Sequence, residues 1–322
     1  MEGLKLVKKP HWILVFLVVL LVAGCSTKSA PVVEEDPDLA SPAVPRVVAS
    51  ISPLAWIVSE IAADQVELIP LMPEGADSAT WSPDAEALET LATADLIILN
   101  STNLERWAQR VSLPIVKTLE VARTCKDQWL RYPKVVTHSH GPEGERSYEG
   151  VDGHTWLDPE LLRLGAIAIK ERLIRLLPEQ RALFEERFLA VDRVLAGLSE
   201  RLIEITSGVQ GMLLEGGPYW GYPCARAGLP LHRVELNPEG GLDDRTRELL
   251  STVRGGSSPS IYLWPSEPST EFRKELWDQL QIESAVWPPA YSLGSEYARY
   301  PEIQQKALTN LLTALMCFPR RP

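Results

Sequence analysis

Two runs of alternating strand and helix signals, separated by one long helical stripe, constrain this chain most. In the first run, residues 47–51 and 66–71 read as short buried strands. Between them Pro53 sits in the first turn of a helix. Ser82, Pro83 and Asp84 then start a second helix, with Ser82 as cap, running to about Ala94. Residues 95–100 (DLIILN) form a third strand and 113–118 a shorter fourth. After a helix over 160–177, residues 178–206 carry Leu183, Phe184, Phe188, Val191, Val194, Leu195, Leu198, Leu202 and Ile203 at helical period. Such a helix is about 29 residues and about 43 Å long, enough to cross from one lobe to another. The alternation then restarts, with strands at 211–214, 231–236, 260–264 and 284–287 and helices at 243–253, 267–280 and 297–317. Strands alternating with helices imply parallel sheets covered by helices. The expected fold class is α/β: two α/β lobes with mostly parallel sheets, joined by a long linking helix.

The chain begins with Lys5, Lys8 and Lys9, followed by an apolar run from Trp12 to Ala23 and then Gly24-Cys25. The basic start and apolar run have the form of an export signal. The run is short for a membrane span of about 20 residues. Val22-Ala23-Gly24-Cys25 resembles a bacterial lipobox, which makes Cys25 the expected lipidation site and residues 1–24 a lipoprotein signal peptide. A single N-terminal membrane anchor is the other reading, and both place the remainder outside the cytoplasm. Residues 25–45 are polar, acidic and proline-rich and read as a flexible tether. The expected units are then an N-terminal lobe at 46–177, a linking helix at 178–206 and a C-terminal lobe at 207–322.

Formal net charge is −11. This acidity argues against nucleic acid, which calls for a basic surface. Of four cysteines, Cys25 goes to lipid, leaving Cys125, Cys224 and Cys317. An odd number leaves at least one thiol unpaired, and one disulfide of undetermined partners is possible. There is no CxxC pair, no GxSxG, no HExxH and no phosphate-binding loop.

Histidine is the informative residue type. His138 and His140 lie in a glycine-rich, charged segment, 131–153, that reads as an exposed loop, and His154 follows directly. Imidazole nitrogen suits zinc and similar ions. The two loop histidines are either solvated polar residues or a capture site for such an ion. His232, in a strand pattern, reads as structural. Glu215-Gly216-Gly217 ends a strand, where sites of parallel sheets gather, and its glycines serve equally well in a tight turn.

The chain resembles the periplasmic zinc- and manganese-binding lipoproteins of ABC importers, the metal-specific solute-binding proteins. The matching segments are PLAWIVSEIA at 53–62, the Gly-Ala segment and helix at 75–94, ADLIILN at 94–100, GHTWLDP at 153–159 and PYWGYPCARAGL at 218–229. The resemblance implies a metal ion bound between two lobes, as cargo handed to an ABC transporter permease in the membrane, with no chemistry performed. It also implies a monomer at the cell envelope, on the periplasmic side or cell surface. Four places supply the family's ligands, usually three histidines and a carboxylate. In this chain they fall at Ala79, His154, Gly217 and near Pro288, so only His154 retains a donor.

Two outcomes are open. A rebuilt site would combine His154 with His138, His140, Glu215 and Asp77 around Zn2+ or Mn2+. A non-metal ligand, or a protein-interaction or structural role in the envelope, would use Trp81, Tyr219, Trp220, Trp287 and Tyr291, which lie near the four family places. An enzyme would need His154 as general base, oriented by Asp152 or Asp158, and no sequence feature fixes a reaction.

Overall fold

The computed structural model describes residues 44–78, 80–102, 104–132, 150–236, 241–255 and 260–316, together with the backbone of 136–139 and 145–148. The first lobe holds β1 (Arg46–Ala49), α1 (Ser52–Ala62), β2 (Glu67–Pro70), α2 (Ala85–Thr93), β3 (Leu96–Leu99) and β4 (Thr118–Glu120). A strand pair follows, β5 (Val136–Ser139) and β6 (Glu145–Tyr148), then the long helices α3 (Pro159–Leu176) and α4 (Arg181–Thr206). The second lobe holds β7 (Met212–Glu215), α5 (Gly221–Ala227), β8 (Leu231–Arg233), α6 (Asp244–Arg254), β9 (Ser260–Trp264), α7 (Thr270–Leu280), β10 (Ile282–Val286) and α8 (Tyr300–Leu315).

Each lobe has one four-stranded sheet, in the orders β2-β1-β3-β4 and β10-β9-β7-β8. Every pairing in both is parallel. The strands read accordingly. Leu96-Ile97-Ile98-Leu99 and the five residues of β9 are buried throughout, because helices cover both faces of a parallel sheet.

One continuous core runs through both lobes. It includes Val47 and Ile57 of the first lobe, Ile169 of α3, Leu195 and Leu202 of α4, and Leu213, Ile261 and Leu308 of the second. Helices α3 and α4 are clamped where Arg163 Nε and Nη2 donate to the two oxygens of Asp192, at 2.5 and 3.2 Å. The buried stripe of α4 is Phe184, Val191, Leu195, Leu198, Leu202 and Ile205. Val194 and Ile203, expected in that stripe, are exposed.

The lobes also touch directly. The Ser52 amide donates to the Tyr291 carbonyl at 2.9 Å, and Gly75 N–H to Ser292 O at 3.1 Å. The Ser52 hydroxyl in turn accepts from the Leu293 amide at 2.7 Å.

Local readings differ from the structure in several places, among them the strand read at 231–236, which pairs only over β8, and the last helix, which starts at Tyr300 after a 3-10 segment. Asp84, not Ser82, caps α2: its carboxylate accepts from Ala87 N–H at 2.9 Å, leaving Pro83 outside the helix. The strand expected at 113–118 is largely a turn of 3-10 helix at Ile115–Lys117, and the chain pairs only over β4. Pro114 breaks the extended run there and its carbonyl accepts from Lys117 N–H. The segment read as one loop contains the antiparallel pair β5–β6. Helix α5 was not expected at all.

Candidate functional site

Of the four places where the resemblance expects ligands, Gly217 and Pro288 lie just beyond the carboxyl ends of β7 and β10, where parallel sheets gather ligands, and His154 stands before the short 3-10 turn Thr155–Leu157. Position 79 lies outside the described residues. The other three converge around the segment 152–156.

His154 follows Gly153 in that segment and is 2 % exposed. Its Nδ1 lies 2.8 Å from Asp152 Oδ1, and the same oxygen accepts its backbone N–H at 2.9 Å. A carboxylate on Nδ1 fixes the Nδ1–H tautomer and makes Nε2 the lone-pair nitrogen. Asp152 is itself buried, and a Cβ on Gly221 would lie 2.9 Å from its Oδ2. The glycine that opens α5 therefore lets the second lobe approach this carboxylate.

Aromatic rings surround the imidazole. Trp156 lies 5.1 Å and Tyr219 5.2 Å from it between ring centroids, the latter edge-on. Tyr219 then meets Trp220, and Trp156 meets Tyr291. Trp156 Nε1 donates to the Pro289 carbonyl at 2.8 Å, across the lobes, and its own carbonyl accepts from the Tyr300 hydroxyl. Gly217 lies beneath the Tyr219 ring: a side chain at 217 would overlap ring carbons. At the fourth place the Pro288 carbonyl accepts from Gln304 Nε2 at 3.3 Å, and Trp287 Nε1 donates to Gln304 Oε1 at 2.8 Å.

Glu215, the last residue of β7, is fully buried. Its Oε2 accepts from the Tyr219 and Trp220 amides at 3.2 and 3.1 Å, at the entrance to α5. Its Oε1 lies 2.8 Å from Arg233 Nε. Those two atoms are poorly aligned for a hydrogen bond, so the attraction between them is chiefly coulombic. Burial pushes the Glu215 carboxyl up to about 7; Arg233 opposes the rise and Asp152 adds to it. Arg233 also stacks over the Tyr132 ring, with Cζ 5.0 Å from its centroid.

The remaining candidates are more scattered. The Asp77 carbonyl accepts from Trp81 N–H at 2.8 Å in the turn before α2. Trp81 meets Trp107 edge-on at 5.9 Å. His138 lies on β5 in register with Arg146. His140 and Cys25 lie outside the described residues. Cys125 and Cys224 are buried free thiols, and burial pushes the Cys125 thiol up to about 11. The structure thus brings together His154, Glu215, Tyr219, Trp220 and Tyr291, with Trp287 nearby. Among the described residues, no group of three or more His, Cys, Asp or Glu could hold a metal ion.

Sequence reasoning passed over Asn100 and Glu105, which buttress the His154 segment from β3. Their visible signal was a polar NSTNLE run directly after a buried strand. It also gave no role to Tyr222, whose hydroxyl donates to the Asp152 carbonyl at 2.9 Å and accepts from Leu130 N–H at 3.1 Å.

Two parallel α/β lobes bridged by long helices, with a buried imidazole where they meet, define the solute-binding proteins of the metal type. The chain belongs to the family of the zinc-uptake complex component A, periplasmic, whose model matches residues 47–314. Members of that family are solute-binding proteins and not enzymes. The chain is 28 % identical over 256 residues to a manganese ABC transporter substrate-binding lipoprotein of Streptococcus gordonii, covering 77 % of this chain and 80 % of that one. It is 25 % identical over 211 residues to the high-affinity zinc uptake system protein ZnuA of Yersinia pestis, covering 60 % and 66 %. The Zn(II)-bound ZnuA-like domain of Streptococcus pneumoniae AdcA has the same fold, with TM-score 0.67 at 19 % identity, over 85 % of this chain and 99 % of that one. The periplasmic zinc-binding protein TroA of Treponema pallidum matches with TM-score 0.63 at 21 % identity, over 85 % and 99 %. Among the described residues, no helix is long and apolar enough to cross a membrane.

Proposed function

We propose that this chain is an extracytoplasmic, lipid-anchored solute-binding protein that delivers a divalent transition ion, zinc or manganese, to an ABC permease. Cys25 carries the lipid, and residues 26–45 form the tether. The observation that carries this reading is the buried His154, with Nδ1 held 2.8 Å from Asp152 Oδ1. A histidine that binds metal through one ring nitrogen generally gives the other to a carboxylate or carbonyl. Here that arrangement sits at the one family ligand position that keeps a donor.

The remaining donors in this reading are His138 and His140, which precede His154 closely in the chain, and a carboxylate, Asp77 or Glu215. Glu215 would first have to give up Arg233 and two amides, so it is the costlier donor. Three imidazoles and one carboxylate suffice for zinc. Because these donors would have to be gathered on binding, the site is weaker than a preformed four-ligand one. Protonation of the histidines as pH falls weakens it further.

A second reading, an envelope protein whose partner is not a metal, is favoured by the rings packed over His154 and by Tyr219 lying where a ligand at 217 would stand. Competition calorimetry decides between them. It uses the demetallated chain from residue 26, with zinc and manganese, beside His154→Ala. One-to-one binding that His154→Ala abolishes supports the metal reading. Absence of binding tighter than about 10 μM, roughly 7 kcal/mol, in the unaltered chain removes that reading and leaves the second.

A further inference from the structure

The connection that leaves β3 grips the His154 segment at several points. Asn100 follows the last residue of β3. Its Nδ2 donates to the Gly153 carbonyl at 2.7 Å, and its Oδ1 accepts from the Thr155 hydroxyl at 3.2 Å. A carboxamide offers a donor and an acceptor on two atoms fixed to one carbon. One residue therefore holds both chain neighbours of the histidine.

Asn100 is itself fixed. Glu105 Oε1 accepts from Asn100 N–H at 2.8 Å and from the Ser50 hydroxyl at 2.5 Å, and Oε2 accepts from Ser101 N–H at 2.7 Å. This ties together the ends of the neighbouring strands β1 and β3. It also holds Ser101 and Thr102 at φ of +77° and +56°, a left-handed backbone uncommon for residues other than glycine. That turn presses the Thr102 carbonyl onto Gly153, where an added Cβ would sit 3.1 Å from the oxygen. The backbone on either side of His154 is thus set by the β3 connection, and Asp152 Oδ1, which accepts both the His154 amide and Nδ1–H, can hold the ring only where that backbone presents it.

We propose that Asn100 is the positioning residue of His154, holding the imidazole in the orientation in which Nε2 serves as donor to a bound ion. The role as an ion donor rests on the function proposed above. The positioning does not, and the test separates the two.

The experiment is histidine ring 15N NMR on the metal-free chain from residue 26, with zinc titration of the same samples, for the unaltered protein, Asn100→Ala and Thr155→Val. The four remaining histidines make assignment practical, with His154→Ala identifying the signal. The unaltered chain is expected to show His154 as a single Nδ1–H tautomer. In Asn100→Ala that signature should be averaged between tautomers and zinc affinity should fall about tenfold or more. In Thr155→Val both changes should be smaller. A purely structural role for Asn100 would lower the melting temperature and leave the ring signals of the folded protein in place. That result, seen in Asn100→Ala, overturns the proposal. Should Asn100→Ala not fold, Thr155→Val decides: unchanged ring signals and zinc affinity overturn the proposal. If the unaltered chain binds no zinc, the metal reading fails alone and the NMR comparison still decides the positioning.

Discussion

At Gly217, where the resemblance to the importer lipoproteins implies a ligand, the Tyr219 ring decides what the position can hold. The ring folds back over residue 217 and fills the space its side chain would need. Restoring histidine there by Gly217→His alone is therefore expected to strain the fold, by about 1–3 kcal/mol for overpacking, without improving zinc binding. Gly217→His combined with Tyr219→Ala is expected to recover stability relative to the single variant and to gain at least about tenfold in zinc affinity. Thermal unfolding and zinc competition on the two variants check this. A single variant as stable as the parent and tighter for zinc would show that the ring is no obstacle. Glu215 makes a second prediction at this scale. Its carboxyl titrates near 7 in the folded chain, mainly through burial, and near 4.3 when unfolded. Between those values the folded state holds a proton that the unfolded state has lost. The Glu215 contribution therefore favours folding at low pH and is lost as pH rises through about 7. In Glu215→Gln the fall in stability between about pH 4.5 and 7 should flatten relative to the parent. Identical slopes in urea unfolding across that range would mean that Glu215 is ionised throughout.

The junction between α3 and α5 is where single elements answer to single residues. Asp158 caps α3 through Glu160 N–H at 3.0 Å, and Arg226 of α5 donates to the same oxygen at 2.5 Å. Asp158→Ala removes the cap and strands an arginine that is only a quarter exposed. The expected cost is about 2–4 kcal/mol, measured by urea unfolding; a loss under about 0.5 kcal/mol would mean the pair is replaced by solvent. The same junction marks the limit of what the sequence made legible. The buried strands and α3 and α4 follow from continuous apolar runs and a long period of 3.6, signals that depend on local spacing alone. Helix α5 is seven residues with Gly221 and Pro223 inside. It forms because Glu215 holds the amides at its entrance and because Tyr222 bonds the Asp152 segment, and that second contact is long-range. His154 could be read from GHTWLDP. The grip of Asn100 could not, because it depends on how two distant segments meet in space; the Tyr219 ring over Gly217 is a local contact, but a rotamer leaves no mark in the sequence.

The two lobes, within residues 44–316, share one core. The apolar cluster passes without a break from β1 and α1 through α3 and α4 into β7, β9 and α8. Direct links reinforce it: Trp156 to Pro289, Tyr300 to Trp156, and Ser52 to both Tyr291 and Leu293. Each lobe also has a smaller cluster of its own on the other face of its sheet, around Ile97 and Trp107 in the first and Tyr262 and Leu276 in the second; lobes held only by such separate cores could melt in turn. A shared core makes opening one lobe expose the apolar face of the other, so the two stand or fall together. Urea unfolding of the chain from residue 26 is therefore expected to give one transition, with coincident midpoints by tryptophan fluorescence and far-ultraviolet circular dichroism. Midpoints separated by more than about 0.5 M, against slopes of about 1–3 kcal/mol per molar for small proteins and steeper for larger ones, would show lobes that unfold independently.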